Sequence, residues 1–520
     1  MNITASCKKA SNIFNQLSLL HLKTCCNLYK TFARSKLEYG TIIWGYAVNS
    51  HGNRASLDNA QRTGLRRIIQ ATPSTPGDAL ECELNVPPID LRIQELQRME
   101  YIKLLRKPDN NTLKEKIMSK TMPTKPKQSP IDNLKHVGEQ LYQQLKKQNP
   151  DLKLEPEPPT IYDSLLPDIC LHNMDLKIGN AHSRTIKQMQ EGKEIINQQL
   201  LRTSIHTIVA FTDGSAAGNP GPTGAGAVIL TEGLTQPPIK LSKAVSPSRC
   251  NVHGELVAIE LAATYVNKHT KPHQKELQIF TDCKPAIQST TSLAPPCSYH
   301  ETVSRIRKQI ELLQSKRQIS VSFYWTPAHA EISLNDMADS LAKTGAKLAR
   351  KTTSTHTVTI HEAKRANQQL TTRKWNQRWA RLPAATNYRT FITEAPCITG
   401  PKQDAGLQPL NQRKMVRLRL GHSYLASHRA VYTPDLGKTC DGCSKIEDIR
   451  HIFFECHKHD TERMRLMDNL ELALGQDPTC TDTTITCAKI IGLSQSADPE
   501  TKKKISKAAS KCLLTTKVKC

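Results

Sequence analysis

The sequence predicts an α/β protein in which a sheet-forming region lies between two helical regions. Three observations support this fold class. Four short apolar runs in the centre of the chain have the length and β-branched content of strands. An amphipathic helical stripe lies among them, and apolar residues at helical spacing mark the flanking regions. A chain of 520 residues is long enough for about three domains of ordinary size.

The net charge of the chain indicates which kind of partner it binds. Lys and Arg number 72 against 47 for Asp and Glu, so the formal net charge is +25. Such an excess favours a polyanion, and nucleic acid above all. An anionic membrane surface is the rival, but it is disfavoured because no basic helix carries a bulky aromatic face. No run of about 18 apolar residues exists, so we expect no membrane span.

The cysteines and the N-terminus bear on the cellular compartment. Residues 1–30 lack the apolar core and small-residue cleavage site of a signal peptide. Sixteen cysteines would suggest disulfides in a secreted chain, but nothing else indicates secretion. We therefore expect an intracellular protein, nuclear or cytoplasmic, in which some cysteines bind metal and the rest are free thiols.

Two regions precede the centre of the chain. Residues 1–106 are predicted to be helical, since Leu22, Cys26 and Tyr29 begin a series at helical spacing. Residues 107–202 are weakly patterned and rich in Lys and Pro, which predicts a partly disordered linker with one helix inside it.

The central region, residues 203–350, alternates strand and helix signals. The predicted strands are 207–212, 224–230, 276–281 and 319–325, and the predicted helix is 251–267.

Four carboxylates of this region are candidate metal ligands. Asp213 and Asp282 each end an apolar strand, which is a rigid place from which to project a ligand. Glu255 lies near the start of the predicted helix, and Asp339 lies early in a later one. Converging carboxylates repel each other and need a cation, and hard oxygen ligands suit Mg²⁺ or Mn²⁺. One such acid alone is more often a solvated loop residue, so the argument depends on the whole set.

The context of these acids resembles type 1 ribonuclease H. The matching segments are Phe211–Ser215, Gly254–Ile259, Phe280–Asp282 and Trp325–His329 followed by Asn335–Asp339. The resemblance implies a mixed five-stranded sheet with flanking helices. It also implies an endonuclease that uses two Mg²⁺ or Mn²⁺ ions to hydrolyse the RNA strand of RNA–DNA hybrids.

The same resemblance implies a role for each residue. Asp213 would bridge both metal ions, and Glu255, Asp282 and Asp339 would complete their coordination shells. His329 would assist proton transfer or product departure. The alternative for His329 is a loop histidine with a hydrogen-bonding role.

The segments Trp325–His329 and Asn335–Asp339 together form the fourth motif. The loop between them departs from the retrotransposon members of this family. Where those members usually carry glycines, this chain has Glu331 and Leu334, and Asp336 replaces a glutamate. If those glycines adopt positive φ, the replacements strain or reshape the loop and lower the rate. Asn335 is expected to cap the following helix rather than to act in catalysis.

The N-terminal region resembles the segment that follows the catalytic palm in reverse transcriptases of non-LTR, jockey-like retrotransposons. The resemblance is carried by Leu28–Gly40, Trp44, Gln61-Arg62 and Val86–Pro88. It implies the C-terminal part of an element-encoded polyprotein, or a domesticated or truncated copy. No Tyr-x-Asp-Asp motif is present, so a polymerase domain is expected as a partner outside this chain.

The C-terminal region, residues 375–474, follows a tether at 351–374 and carries a cysteine–histidine cluster. Its spacing is that of ligands to one tetrahedral zinc ion, and the ligands would be Cys440, Cys443, His451 and Cys456. The alternative is coincidence in a cysteine-rich chain.

Three further features of the C-terminal part carry expectations. Basic residues alternate with apolar ones upstream of the cluster, which predicts an amphipathic segment that contacts a phosphate backbone; they are Arg413, Lys414, Arg417 and Arg419. Trp375 and Trp379, four residues apart, are expected in a helix core. The Lys-rich tail is 475–520, and its last twenty residues contain seven lysines and no acid, so we expect a solvated, disordered end.

Two other functions stay open beside the active ribonuclease. The first is a nucleic-acid-binding remnant without useful turnover, which the altered Glu331–Asp336 loop favours and the intact carboxylates oppose. The second is another nuclease on the same fold, such as a transposase or integrase, which would lack the Asn335–Asp339 motif.

Overall fold

The chain divides into two compact units in the computed structural model. Unit 1 comprises residues 1–104, 112–144 and 364–520, and unit 2 comprises residues 105–111 and 145–363. The structure describes residues 20–121, 129–148, 150–158, 168–176, 185–232, 236–294, 296, 298–328, 330–351, 357–382, 388, 392–396, 404–431, 433–475, 487, 489–492 and 499–515. Within these ranges no helix is long and apolar enough to cross a bilayer.

The α-helices of the described residues are numbered in chain order. They are α1 (Leu22–Leu28), α2 (Ser35–Glu38), α3 (Thr41–Trp44), α4 (His51–Ile69), α5 (Gly77–Glu83), α6 (Ile89–Leu105), α7 (Thr112–Ser119), α8 (Pro130–Gln148), α9 (Ile186–Leu201), α10 (Asn251–His269), α11 (Lys284–Thr291), α12 (His300–Arg317), α13 (Ser333–Ala349), α14 (Ile360–Arg381), α15 (Pro409–Arg419), α16 (Ala426–Arg429), α17 (Asp460–Leu474) and α18 (Pro499–Thr515). A π-helical turn, Tyr29–Arg34, joins α1 to α2.

The strands of the described residues all lie in unit 2. They are β1 (Lys153–Leu154), β2 (Ile169–His172), β3 (Thr207–Ala216), β4 (Gly221–Leu230), β5 (Ile239–Arg249), β6 (Glu276–Thr281), β7 (Ser320–Trp325) and β8 (Thr357–Val358). The main sheet has the order β2-β7-β6-β3-β4-β5, and β1 pairs with β8 in a separate two-stranded ladder. Strands β2, β7, β6 and β3 run parallel, whereas β3, β4 and β5 form an antiparallel meander.

Both faces of the main sheet are covered, which explains why its strands are almost continuously apolar. On one face, Ile208 and Ala210 of β3 pack with Leu256 and Ile259 of α10 and with apolar residues of α11 and α12. On the other face, Phe211 packs with apolar residues of α9 and α13. The four strands predicted from the sequence are all present, and β5 is the fifth strand that the family resemblance implied.

The sheet nevertheless has one strand more than expected. Strand β2 comes from the segment interpreted as linker and adds to the edge of the sheet, where Ile169 pairs with Val321 and His172 with Tyr324. The described part of residues 107–202 also contains α7, α8 and α9. Helix α8 is the one helix expected there, whereas the linker interpretation was wrong for the segments of α7 and α9. Four residues are too few for a pattern of their own, and β2 is stabilised by its pairing with β7.

Unit 1 is built from both ends of the chain. Its main apolar cluster combines Cys25 and Leu65 from the N-terminal region with Met415, Phe453 and further residues of the C-terminal region. The expected tether at 351–374 contributes most of α14, whose buried side brings further apolar residues into unit 1. The two helical regions predicted separately therefore share one core.

Two expectations about the C-terminal part can now be judged. Trp375 and Trp379 are buried, and Trp379 Nε1 donates to the Ile392 carbonyl at 3.0 Å, so their assignment to a helix core is confirmed. The expectation of a disordered tail was wrong for residues 499–515. These residues form α18, and its Ile505 and Leu513 are buried in the unit 1 core. The lysines of α18 lie on a helix that also has an apolar side.

The basic segment upstream of the cysteines does not form a phosphate-binding surface. Arg413, Arg417 and Arg419 of α15 are all at most 3% exposed. Arg413 Nε donates to the Ile68 carbonyl at 2.9 Å, and Arg417 Nη1 donates to the Ile69 carbonyl at 2.8 Å. The expectation of an exposed basic face was wrong, because these guanidinium groups satisfy buried backbone and side-chain acceptors instead.

Candidate active site

Two of the predicted carboxylates are brought together by strand register. Strands β3 and β6 are adjacent and parallel, and Thr212 pairs with Thr281. Asp213 and Asp282 each follow this pair by one residue, so they lie side by side where the pairing of β3 with β6 ends. This is the edge of an α/β sheet at which ligands commonly bind. Asp282 directly follows β6 as expected, but Asp213 does not end its strand, because β3 continues to Ala216 through its pairing with β4.

Glu255 of α10 completes a compact cluster with these two residues. Each of the three offers a carboxylate oxygen, and the three oxygens all lie within 4.8 Å of one another. Asp213 is 7% exposed and Glu255 is 3% exposed. Thr281 Oγ1 donates to Glu255 Oε2 at 3.4 Å and helps to orient that carboxylate.

A close approach between α10 and β3 positions Glu255. A Cβ on Gly214 would lie 2.1 Å from the Glu255 backbone nitrogen, so no larger residue fits there without moving the helix. A Cβ on Gly254 would lie 2.7 Å from the Gly224 carbonyl oxygen. The sequence analysis used these glycines only as motif letters and did not identify their part in bringing the helix onto the sheet.

Asp339 reaches the same region from α13. This helix packs closely on β4, where a Cβ on Gly226 would lie 2.2 Å from the Ala338 carbonyl oxygen. The charge of Asp339 contributes to the raised pKa of Asp213, and the Asp339 carboxylate accepts from Lys343 Nζ at 2.6 Å. It lies beside the compact cluster, whose three members are Asp213, Glu255 and Asp282.

The electrostatics of the site favour protons or a cation. Burial raises the pKa of Asp213 to about 8, and the charges of Asp282 and Asp339 add to the rise. Burial raises the pKa of Glu255 well above its usual range, with further contributions from Asp213 and Asp282. Buried carboxyls of this kind hold protons near neutral pH unless a cation takes the place of those protons.

Aromatic stacking makes the underlying sheet rigid. The rings of Phe211 and Phe280 stack at 4.7 Å, and those of Phe280 and Tyr324 also stack at 4.7 Å. Trp325 Nε1 donates to the Asp282 carbonyl at 3.0 Å. The backbone that carries Asp213 and Asp282 is therefore held by neighbours on three adjacent strands.

The loop of the fourth motif agrees only in part with expectation. His329 lies outside the described residues, so its role stays a prediction. Glu331 has a φ of 55°, the left-handed conformation expected for a glycine position, whereas Leu334 lies inside α13. Asn335 does not cap α13: the N-cap is Ile332, and Asn335 is buried inside the first turn.

The four predicted zinc ligands also converge. The Sγ atoms of Cys440, Cys443 and Cys456 and a ring nitrogen of His451 lie within 4.8 Å of one another. Cys443 Sγ is 3.1 Å from His451 Nε2, and Cys440 Sγ is 3.9 Å from Cys456 Sγ. Burial, with Cys440 nearby, raises the pKa of Cys456 to about 11. A metal ion would reverse that effect by favouring the thiolate.

The local backbone explains this convergence. The Cys440 N–H donates to the Lys445 carbonyl at 2.7 Å and the Ser444 N–H to the Cys440 carbonyl at 3.0 Å, which closes a tight knuckle. His451 begins a short π-helix, and Cys456 directly follows it. The ligands therefore come from a knuckle and from the helical turn that follows it.

Comparison with known proteins identifies the domain that contains the carboxylates. A family model described as RNase H matches residues 205–347. The ribonuclease H of Paramagnetospirillum magneticum is 25% identical over 146 residues, which is 27% of this chain and 89% of that protein. The ribonuclease H of Ehrlichia ruminantium is 25% identical over 150 residues, which is 28% of this chain and 97% of that protein.

A solved structure is also similar to this part of the chain. The crystal structure of ribonuclease H1 from the archaeon Halobacterium salinarum is 18% identical, with a TM-score of 0.22, and the match covers 28% of this chain and 99% of that one. The family model and the relatives together show that an RNase H domain is present in this chain.

Proposed function

We propose that this chain is a metal-dependent endonuclease that hydrolyses the RNA strand of RNA–DNA hybrids. The convergence of three carboxylates within 4.8 Å, two of them buried, in the domain that matches RNase H, is the observation that carries the proposal. Relatives named ribonuclease H match this domain over almost their whole length, which supports the same reaction class here.

The donor set fits Mg²⁺ or Mn²⁺. Every candidate ligand is a carboxylate oxygen, which is the hard donor these ions prefer, and the ligands would be Asp213, Glu255, Asp282 and Asp339. When bound, two such ions would supply an activated water and charge stabilisation at the leaving oxygen. The chain's own part is to hold the carboxylates close together in a buried site, with Thr281 and the Gly214 contact orienting Glu255. His329 is proposed to move a proton or release product.

Cleavage by an Asp213→Asn variant tests this proposal. The rate of RNA–DNA hybrid hydrolysis in the presence of Mg²⁺ should fall by at least about 100-fold, because the cluster loses the Asp213 carboxylate. Asp468→Asn, at an exposed position in unit 1, is the matched control and should cut like the parent. Equal rates for Asp213→Asn and the parent would show that this site does not catalyse the reaction.

Substrate choice separates the proposal from the transposase-like alternative. An RNA–DNA hybrid should be cut in its RNA strand while duplex DNA of the same sequence stays intact, since recognition of the cleaved strand would use its 2′-hydroxyls. Comparable cleavage of duplex DNA would favour the alternative.

One observation favours the alternative that the chain is a nucleic-acid-binding remnant without useful turnover. Glu331, a non-glycine residue, occupies a left-handed backbone conformation in the loop before α13. Such a residue is strained, and strain at this loop would displace the fourth motif. Tight binding of a hybrid without measurable Mg²⁺-dependent cleavage would support this alternative.

We further propose that the chain derives from a non-LTR retrotransposon and acts with a polymerase domain outside it. Support comes from the order of the motifs, with a segment resembling the post-palm region before the RNase H domain and the cysteine cluster after it. Genomic DNA flanking the coding segment should contain an in-frame palm with Tyr-x-Asp-Asp. An unrelated host gene on both sides would contradict an intact element.

We also propose that Cys440, Cys443, His451 and Cys456 bind one Zn²⁺ ion. Their convergence and the mixed sulfur and nitrogen donors support it. Phe453 and Ile452, within this segment, lie in the unit 1 core, so the full chain is the right material for the test. A fragment from residue 375 to 474 would lack the N-terminal half of that core.

Metal analysis of the full chain tests the zinc site. The parent should contain about one Zn²⁺ per chain, and Cys443→Ser should lose it and lower the melting temperature of unit 1. Cys170→Ser, at an exposed cysteine of β2, is the control and should keep the ion. A parent that lacks zinc after purification in zinc-containing buffer would show the spacing to be coincidental.

A further inference from the structure

Helix α14 has an exposure pattern with a period of four residues. Its side towards the unit 1 core is formed by buried residues such as Ala366, Leu370 and Trp375. Pairs of exposed residues alternate with them along the helix: Lys364 and Arg365, Gln368 and Gln369, Thr372 and Arg373, and Ala380 and Arg381, with Gln377 between the last two pairs. We name these nine residues the α14 stripe.

The α14 stripe is basic and contains no acid. It carries Lys364, Arg365, Arg373 and Arg381, and its other members are glutamine, threonine and alanine. The one acid of the helix, Glu362, is a largely buried partner of Arg249. Arg365, Gln369 and Arg373 lie along one open side of the helix. The stripe therefore offers solvent a set of cations and hydrogen-bonding groups.

The spacing of the arginines is regular. Arg365, Gln369, Arg373, Gln377 and Arg381 follow one another at steps of four residues. Such residues form a ridge on the helix surface, and eight residues correspond to about 12 Å along the axis. Guanidinium groups are planar forks that bind phosphate through two hydrogen bonds, and glutamine and threonine side chains also donate to phosphate oxygens.

We infer that the α14 stripe is a nucleic-acid-binding surface of unit 1 that contacts the phosphate backbone. It differs from the basic segment that the sequence singled out, whose arginines are buried in α15. A membrane is a poorer fit, because none of the large exposed apolar side chains of the described residues lies on α14. This inference extends the proposed function, since a second surface would hold substrate while the RNase H domain acts.

Salt-dependent binding tests the inference. Three substitutions, Arg365→Gln, Arg373→Gln and Arg381→Gln, are combined in an Asp213→Asn background so that the probe stays uncut. Binding of a labelled RNA–DNA hybrid is followed by fluorescence anisotropy from about 50 to 300 mM KCl. Affinity should fall by about tenfold or more, and the slope of log affinity against log salt should become shallower by about 2 to 3, because each lost phosphate contact removes about 0.9.

A charge-matched variant controls for net charge. Lys36→Gln, Lys116→Gln and Arg465→Gln remove the same charge from exposed positions scattered over unit 1, and this triple variant should bind within about twofold of the parent. Equal effects of the two triple variants would overturn the inference. So would a stripe variant that still binds hybrid but no longer binds vesicles containing phosphatidylserine, since that result would assign the surface to a membrane.

A folding defect of the variant and a failure of the proposed function can each be distinguished from a failure of this inference. If the stripe variant fails to fold by circular dichroism, the single Arg373→Gln variant decides the matter, with an expected slope change of about 0.9. Hydrolysis is measured separately in proteins that keep Asp213. A chain that binds through the stripe but does not cut hybrid would refute the proposed function alone, and a chain that cuts but binds independently of the stripe would refute this inference alone.

Discussion

Asn173 and Gln199 exchange two reciprocal side-chain hydrogen bonds. Asn173 Nδ2 donates to Gln199 Oε1 at 3.1 Å, and Gln199 Nε2 donates to Asn173 Oδ1 at 3.2 Å. Asn173 Nδ2 also lies 3.4 Å from the Trp325 carbonyl. The end of β2 is thus tied to α9 and to the strand that leads into the fourth motif. The segment interpreted as linker therefore supports the candidate active site.

Substitution of Asn173 should show how much these hydrogen bonds stabilise the protein. Asn173→Gly keeps the left-handed backbone, for which the φ of residue 173 is 64°, but removes the side-chain bonds. We expect a loss of about 1–3 kcal/mol in the free energy of unfolding, because Gln199 loses its partner. Asn173→Ala should lose about 1 kcal/mol more, since alanine is strained at this φ. Urea unfolding measures both, and two variants as stable as the parent would show that β2 is dispensable.

The carboxylate cluster should make the metal-free protein less stable as pH rises. The pKa of Asp213 is about 8 in the folded chain against 3.8 for an ordinary aspartate, so the folded state binds more protons between these values. The free energy of unfolding therefore falls as pH rises from about 4 to about 8 and levels off above. Asp213→Asn removes one titrating group and should unfold less readily at pH 8.

Thermal melts without added Mg²⁺ measure this effect. The Asp213→Asn variant should melt roughly 4 °C or more above the parent at pH 8, and the two proteins should melt together near pH 4. Glu81 and Glu155 also have pKa values raised to about 7 by burial, so only the difference between parent and variant reports on the cluster. Identical pH dependence of the two proteins would contradict the raised pKa of Asp213.

Gly214→Ala should displace Glu255. The added Cβ would meet the Glu255 nitrogen at 2.1 Å, and the backbone would have to move. We expect a stability loss of about 1–3 kcal/mol from overpacking and a loss of about 100-fold in hybrid hydrolysis from the displaced carboxylate. Gly52→Ala, at a helix position with nothing within 4 Å, is the control and should be stabilising by roughly 0.5–1 kcal/mol. A Gly214→Ala enzyme with parental activity would show that the close approach is not needed.

Arg419→Gln should unfold unit 1 rather than weaken binding of nucleic acid. Arg419 is 1% exposed and lies between two buried carboxylates, with Nε 2.8 Å from Glu83 Oε1 and Nη2 2.6 Å from Asp404 Oδ2. Losing the cation leaves both carboxylates unpaired, which costs about 3–5 kcal/mol. Arg373→Gln on the exposed stripe should change stability by less than about 0.5 kcal/mol. Urea unfolding that ranks the two variants in the opposite order would refute this assignment.

Features encoded in short stretches were predictable from the sequence. The four strands of the central region have continuous apolar runs, and Asp213 and Asp282 directly follow two of these runs. Asp213 and Asp282 meet because their strands are neighbours in register, and the family motifs anticipated that pairing. The cysteine–histidine spacing likewise predicted a cluster, because a knuckle and one helical turn are local structures.

Features that depend on distant partners were not predictable. A basic residue among apolar neighbours looks the same in sequence whether its guanidinium meets water or buried carbonyl groups, so Arg413 and Arg373 could not be told apart. Strand β2 is stable because β7 offers an unpaired edge, and α18 is ordered because the unit 1 core accepts its apolar side. The carboxylate chemistry and the strands that carry it follow from local stretches of the chain. Which basic residues face solvent depends on the fold, because burial is a property of contacts between residues far apart in the chain.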